Sequence, residues 1–258
     1  MSNRLNGETA LVFGGGSNGT GLSNGEAAAR AFADHGAAVA VIDIDLSAAE
    51  RTAKRIATDG GTALPLRADV TDEQQVRAAV ADCAEQFGPP TILHNNVGVA
   101  GLGELIDLER DHWDAALAIN ASGVYLTCKH VLPRMLARGR GAIVNVSSIA
   151  AIRDTGYPYP AYSAAKAAVN QLTVSLALRY ARDNIRVNAI MPGLIDTPLV
   201  TRQILADRSD PAAARDLRHA TSPTGRMGSP WDVAAAAVFL ASAEASYING
   251  VCLPVDGG

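Results

Sequence analysis

At 258 residues the chain is long enough to bury one sizeable α/β core. A composition of 48% hydrophobic and 19% charged residues excludes a disordered chain. The 22 Lys and Arg against 26 Asp and Glu leave a net charge of −4 with no basic cluster, which excludes the electrostatic footprint of a nucleic-acid binder.

The first apolar run, 11–13, reads as a strand and leads into a glycine-rich loop. Residues 26–35 follow with helical spacing. Ala28, Ala31 and Phe32 share one face, and Gly36 stands where a helix end favours a left-handed residue. The run 39–42 predicts the second strand. Ser47 with Glu50 three residues on forms a capping box, opening a helix that stops at Gly60 and Gly61; Thr71 and Gln74 repeat the device. Further strands are predicted at 91–94, 142–146, 185–190 and 251–255, with helices over 113–137 and 161–181. Ser229 followed by Pro230 opens the last long helix. Strand and helix alternating at this spacing predict one domain over 1–258, a parallel sheet with helices on both faces. The stretch 198–223 breaks the pattern by being polar and poorly periodic, so 198–228 reads as a lid over a substrate.

Cys83, Cys128 and Cys252 have neither paired nor zinc-ligand spacing, which fits a reducing cytoplasm. Residues 1–7 carry no apolar core of a secretory signal, and no apolar run is long enough to span a membrane. A cytoplasmic protein is therefore expected. His35, His94, His112, His130 and His219 show no ligand spacing, so no metal site is expected.

Several groups carry chemistry. Between the first strand and helix lie Gly14, Gly15, Gly16, Ser17, Asn18, Gly19, Thr20, Gly21, Leu22, Ser23, Asn24 and Gly25. Glycines there let backbone N–H groups approach a pyrophosphate, and a helix N-terminus favours its charge. Asp43 closes the second strand, where a carboxylate accepts the hydroxyls of an adenosine ribose and repels a 2′-phosphate; Asp45 is a nearby competitor. Tyr162 and Lys166 stand one helical turn apart, so that the lysine's field reaches a phenol that alone titrates near ~10. Ser147 and Ser148 end a strand, and Asn120 sits inside a helix. Asn95 and Asn96, before Val97 and Gly98, would by themselves be a turn.

Taken together, these residues resemble the short-chain dehydrogenase/reductase family over essentially 7–258. The matching pieces are the glycine loop, Asp43, Asp69 and Val70, Asn95 to Gly98, Asn120, Ser148, Tyr162 with Lys166, the run from Pro192 through Thr197, and the terminal Val255, Asp256, Gly257 and Gly258. The resemblance implies a Rossmann-like doubly wound sheet of about seven strands and an NAD-dependent oxidoreductase that interconverts a secondary alcohol and a ketone. Tyr162 would be the acid/base, Ser148 would hold the substrate oxygen, and Lys166 would bind the nicotinamide ribose and favour the tyrosinate. Asn120 would kink its helix and hold a relay water. Asp43 would take the adenosine ribose, Asp69 and Val70 the adenine, Asn96 the neighbouring ribose region, and Ile195 and Thr197 the carboxamide and phosphates. Gly14, Ser17, Asn24 and Gly25 would surround the pyrophosphate, and the assembly would be a homotetramer packed through 113–137 and 161–181.

The loop departs from the family's usual spacing. Counting back from the helix makes Gly25 the last glycine, Ser23 the middle position and Gly19 the first; counting forward from the strand puts the first near Gly14. The substrate pocket is expected from 97–102, 149–159 and 194–227, mostly apolar, with Arg153 as the anchor for an anion. Two other readings use the same fold. One is a catalytically silent nucleotide sensor, which needs neither Tyr162 nor Ser148. The other is a lyase or epimerase, whose longer relatives carry a C-terminal substrate domain.

Overall fold

A computed structural model of the chain describes residues 3–18, 21–198 and 210–258. Seven strands, β1 (Thr9–Phe13), β2 (Ala38–Asp43), β3 (Thr62–Arg67), β4 (Ile92–Asn95), β5 (Gly141–Val146), β6 (Ile185–Pro192) and β7 (Cys252–Val255), pair in the order β3-β2-β1-β4-β5-β6-β7. Every pairing is parallel. The order reverses between β1 and β4, and in such sheets the crevice beyond the strand C-termini at this switch point receives the ligand.

Six strands fall where the apolar runs predict them. The seventh, β3, escapes a periodicity reading because Pro65 interrupts it and most of it is only half-buried. It is an edge strand, and proline is tolerated there because one side of its backbone has no partner strand.

The described residues form eight α-helices: α1 (Asn24–Asp34), α2 (Leu46–Thr58), α3 (Glu73–Phe87), α4 (Arg110–Leu117), α5 (Gly123–Arg138), α6 (Pro160–Tyr180), α7 (Pro211–Thr221) and α8 (Pro230–Ala241). The strands alternate strictly between two cores. Leu11, Phe13, Ile42, Leu93 and Ile143 meet α3, α5 and α6 through Val80, Val131, Met135 and Val169. Ala10, Val12, Val41, Ile92 and Val144 meet α1, α2 and α8 through Phe32, Ile56, Val233 and Val238. Each large side chain buried this way contributes roughly 1.5–3 kcal/mol of transfer free energy.

Two caps differ from the sequence reading. Asp45, not Ser47, caps α2 by accepting from the Ser47 N–H at 2.9 Å. Asp72, not Thr71, caps α3 by accepting from the amides of Gln74 and Gln75. A carboxylate stood beside the hydroxyl each time, and an anion gains more at a helix N-terminus. Ser229 does cap α8, in a capping box with Asp232. The helix expected over 113–137 is broken: α4 and α5 are joined by a π-helical segment, Ala118–Ser122, that contains Asn120.

Candidate active site

A cleft of about 620 Å³ opens at the switch point, within the range of ligand sites. Gly14, Asn24, Asp43, Asp69, Val70, Asn96, Ser148, Tyr162, Lys166, Ile195 and Thr197 line it together. These predicted site residues come from the C-terminal ends of six strands and from the loops and helices that follow them. Gly19 lies outside the described residues. Ser17, Gly25 and Asn120 are buried behind the wall rather than in it.

The glycine loop is built by close approach. A Cβ on Gly25 would lie 1.9 Å from the Gly14 carbonyl oxygen, so the first turn of α1 sits directly on the residue that follows β1. The two ways of counting the loop thus mark two ends of one contact. Asn96 Nδ2 donates to the same carbonyl at 3.1 Å, tying β4 to the loop. Ser23 caps α1 by accepting from the Glu26 N–H, and its hydroxyl donates to Gly16 O. Beneath the loop, buried Glu26 pairs with Arg55, whose Nη1 also reaches Ser17 Oγ at 3.4 Å. Ser17 itself is fully buried, its N–H donating to Ala48 O at 3.0 Å, so it braces the loop from below.

At one end of the cleft, Asp43 Oδ2 accepts from Gly16 N at 2.9 Å and Oδ1 from Asp45 N at 3.2 Å. A Cβ on Gly16 would be 2.5 Å from that carboxylate, so only glycine fits. Burial raises the Asp43 pKa, partly offset by the backbone hydrogen bonds. Arg51 donates to Ser17 O at 2.7 Å and pairs with Asp45 at 3.5 Å, while Arg67 Nε donates to Ile44 O at 3.3 Å. Both arginines therefore reach the rim, and each already has partners. Asp69 accepts from the amide and hydroxyl of Thr71.

At the other end, the two serines separate in role. Both border the cleft, but Ser147 is buried and its hydroxyl donates to Lys166 O at 3.0 Å, whereas the Ser148 hydroxyl interacts with that of Tyr162. Burial pushes the Tyr162 phenol up to about 12, the Ser148 contact working the other way. Lys166 is driven down to about 8 by burial. Its ammonium donates to Val146 O at 2.9 Å and lies 5.7 Å from the Tyr162 ring centroid. Asn120 clamps the β4 loop: Nδ2 donates to Val99 O and Ala116 O, and Oδ1 accepts from Val99 N at 3.1 Å. These bonds occupy both amide hydrogens, so in this arrangement Asn120 positions the wall of the site. Gly98 is squeezed between Asn120 Oδ1 and Lys166 Nζ, at 3.0 and 3.1 Å from where its Cβ would be.

Sequence reasoning gave no individual role to four cleft residues, Thr155, Tyr157, Tyr159 and Arg218, although all four lie in the stretches expected to line the pocket, 149–159 and 194–227. Arg153, singled out as an anion anchor, is exposed, pairs with Asp256 at 3.4 Å and does not line the cleft.

A family model described as enoyl-(acyl carrier protein) reductase matches residues 19–258. The 2-(S)-hydroxypropyl-CoM dehydrogenase 3 of Xanthobacter autotrophicus is 40% identical, over 100% of this chain and 98% of its own. The chain belongs to the short-chain dehydrogenase/reductase family. This dehydrogenase/reductase is also 43% identical to a protein of the same organism named inactive 2-(S)-hydroxypropyl-CoM dehydrogenase 2, over 89% of this chain and 98% of that one. The crystal structure of levodione reductase superposes with a TM-score of 0.93 at 34% identity, covering 99% of this chain and 98% of that one. The family is one of oxidoreductases using a nicotinamide dinucleotide, and relatives are named as dehydrogenases and reductases of small molecules.

The residues of the cleft fit such a dinucleotide. The α1 N-terminus faces it across a loop too tight for any side chain at Gly25 or Gly16, and Asn24 Oδ1 is a buried acceptor with no partner among the described residues. No helix among the described residues is long and apolar enough to cross a membrane.

Proposed function

We propose that the protein is an NAD-dependent dehydrogenase/reductase that interconverts a secondary alcohol and a ketone, with Tyr162 as the acid/base. The observation that carries this reading is the convergence of Tyr162, Ser148 and Lys166 at the strand end of the cleft. The phenol meets Ser148, and the lysine is fixed by Val146 O with its charge beside the tyrosine ring.

NAD(H), held by the glycine loop, Asp43, Asp69, Val70, Asn96, Ile195, Thr197 and Lys166, would supply or accept the hydride. The chain's own residues manage the oxygen. Ser148 would donate a hydrogen bond to the substrate oxygen and hold it beside Tyr162. In reduction the Tyr162 hydroxyl gives its proton to that oxygen as negative charge develops there; in oxidation the phenolate takes it back. With the phenol near 12, the protonated form dominates at neutral pH and is ready to donate. The oxidative direction needs the cation of Lys166, which is worth more in a buried site than in water. Asn120 would act by positioning, fixing Val99 and the turn at Gly98.

NAD rather than NADP is supported by the Asp43 carboxylate at the ribose end. A single domain over 1–258, with 198–228 as the substrate lid, is part of the same proposal; Pro198 and Arg218 from that stretch line the cleft. So are a cytoplasmic location and a homotetramer, the latter supported by apolar groups left exposed on α5 and α6, Tyr125, Leu136 and Leu178. The testing experiment follows NADH absorbance across a panel of ketones. Stoichiometric consumption with alcohol formed, abolished in Tyr162→Phe, is the expected result. Tight NADH binding with no turnover of any carbonyl would leave the silent sensor standing instead.

A further inference from the structure

Arg218 is only 5% exposed, yet no carboxylate among the described residues pairs with it. Its Nε is buried with no hydrogen-bond partner among the described residues, and its Nη1 donates to the Tyr157 hydroxyl at 2.6 Å. Buried charges are ordinarily paired, because desolvation without compensation is costly. The last turn of α7 favours a cation in this place but offers no anion. Tyr157 gives a ring face, its centroid 5.4 Å from the guanidinium carbon, which is again no counter-charge.

The location tells what is missing. Arg218 lines the same cleft as Tyr162, on the side away from Asp43, Asp45 and Asp69. A ladder of rings joins the two: Tyr157 stacks on Tyr159 at 5.9 Å, and Tyr159 meets Tyr162 edge-on at 5.3 Å. The charged side chains of the lining are thus three carboxylates at the glycine-loop end and two cations, Lys166 and Arg218, at the reactive end. Because Tyr157 accepts from Arg218, its own hydroxyl hydrogen is left to donate.

We propose that Arg218, with the Tyr157 hydroxyl, binds an anionic group of the substrate, a carboxylate or chemically similar oxyanion remote from the reacting carbinol. This rests on the dehydrogenase reading above and names the substrate class for it. The planar guanidinium offers the fork of donors that matches a carboxylate.

The test compares kcat/KM for a homologous series of keto carboxylates and their matching primary amides, with NADH, in the wild type, Arg218→Gln, Arg218→Lys and Tyr157→Phe. The wild type should prefer at least one carboxylate over its amide by about 10²-fold or more. Arg218→Gln should collapse that ratio, chiefly through KM. Arg218→Lys should restore part of it, and Tyr157→Phe should lower it several-fold. Independently of turnover, the best keto carboxylate should raise the Tm of the NADH-bound wild type and not of NADH-bound Arg218→Gln. Turnover of amides and carboxylates alike would overturn the anion site while leaving the dehydrogenase reading intact. A carboxylate-dependent Tm shift lost in Arg218→Gln, with no turnover of any compound, would do the opposite. Loss of NADH affinity in Arg218→Gln with an unchanged carboxylate-to-amide ratio would assign the arginine to the cofactor and overturn the proposal.

Discussion

Cofactor choice can be worked from the geometry around Asp43. In NADP the 2′ position carries a phosphate of about −1.5 to −2 charge. At roughly 5 Å from a carboxylate, and an effective dielectric of about 20, the two repel by on the order of 5 kcal/mol. Asp43 is only half-buried, and Arg51 and Arg67 stand at the same rim, so about 2–3 kcal/mol is the working figure, or a preference for NAD on the order of 10²-fold. Asp43→Asn removes the charge while keeping an oxygen for the Gly16 N–H. It should shift the kcat/KM ratio towards NADP by that factor with little loss of NAD use. Asp43→Ala also removes both loop bonds, at 2.9 and 3.2 Å, each contributing about 1 kcal/mol net, so NAD use itself should fall about 10-fold or more. The assay is kcat/KM for both cofactors with one substrate. Equal use of NAD and NADP by the wild type, or an unchanged ratio in Asp43→Asn, would refute the reasoning.

Tyr162→Phe should lower kcat by ~10² or more with NADH affinity retained, Ser148→Ala should do so more mildly, and Lys166→Ala should also weaken NADH binding; steady-state kinetics with fluorescence titration separates these. Gly25→Ala places a methyl 1.9 Å from Gly14 O, so α1 must retreat at a cost of roughly 1–3 kcal/mol, read as a lower denaturant midpoint and a weaker NADH Kd. His94 is fully buried, neither ring nitrogen has a hydrogen-bond partner among the described residues, and burial lowers its pKa to about 4. Below about 6.5 the unfolded chain takes up a proton that the folded chain refuses, so stability should fall by about 3 kcal/mol as pH drops from 6.5 to 4. His94→Leu should flatten that slope in urea midpoints taken across the range; an unchanged slope would place the acid sensitivity elsewhere.

The sheet was legible because parallel strands buried on both faces are short apolar runs, and six of seven are written that way. β3 is not, since an edge strand is released from the same demand and can carry Pro65. The helix over 113–137 reads as continuous because nothing in its local pattern encodes a π turn. Asn120 breaks it through bonds to Val99, 21 residues away. The caps slipped by one or two residues for an equally local reason: two acceptors competed, and the carboxylate took the helix N-terminus.

The site divides along the same line. Tyr162 and Lys166 are legible because a helix fixes their separation, and Gly14 and Asp43 because one directly follows and the other ends a strand whose position is set by the core. Arg153 and Arg218 show where that logic stops. In sequence Arg153 lies near Ser148 and Arg218 sits in an unremarkable polar stretch. Burial and partnership exchange their standing, since Asp256, 103 residues beyond Arg153, neutralises it, while Tyr157, 61 residues before Arg218, draws that guanidinium into the cleft. The residues proposed to carry the reaction are held on or beside regular elements, so a single sequence makes their spacing legible. Substrate choice is carried by side chains from irregular connections and from α7, whose meaning depends on which charges are left without a partner after folding. Arg218, buried without a carboxylate partner among the described residues, is one such remainder, and the proposed anion site rests on it rather than on any motif in the chain.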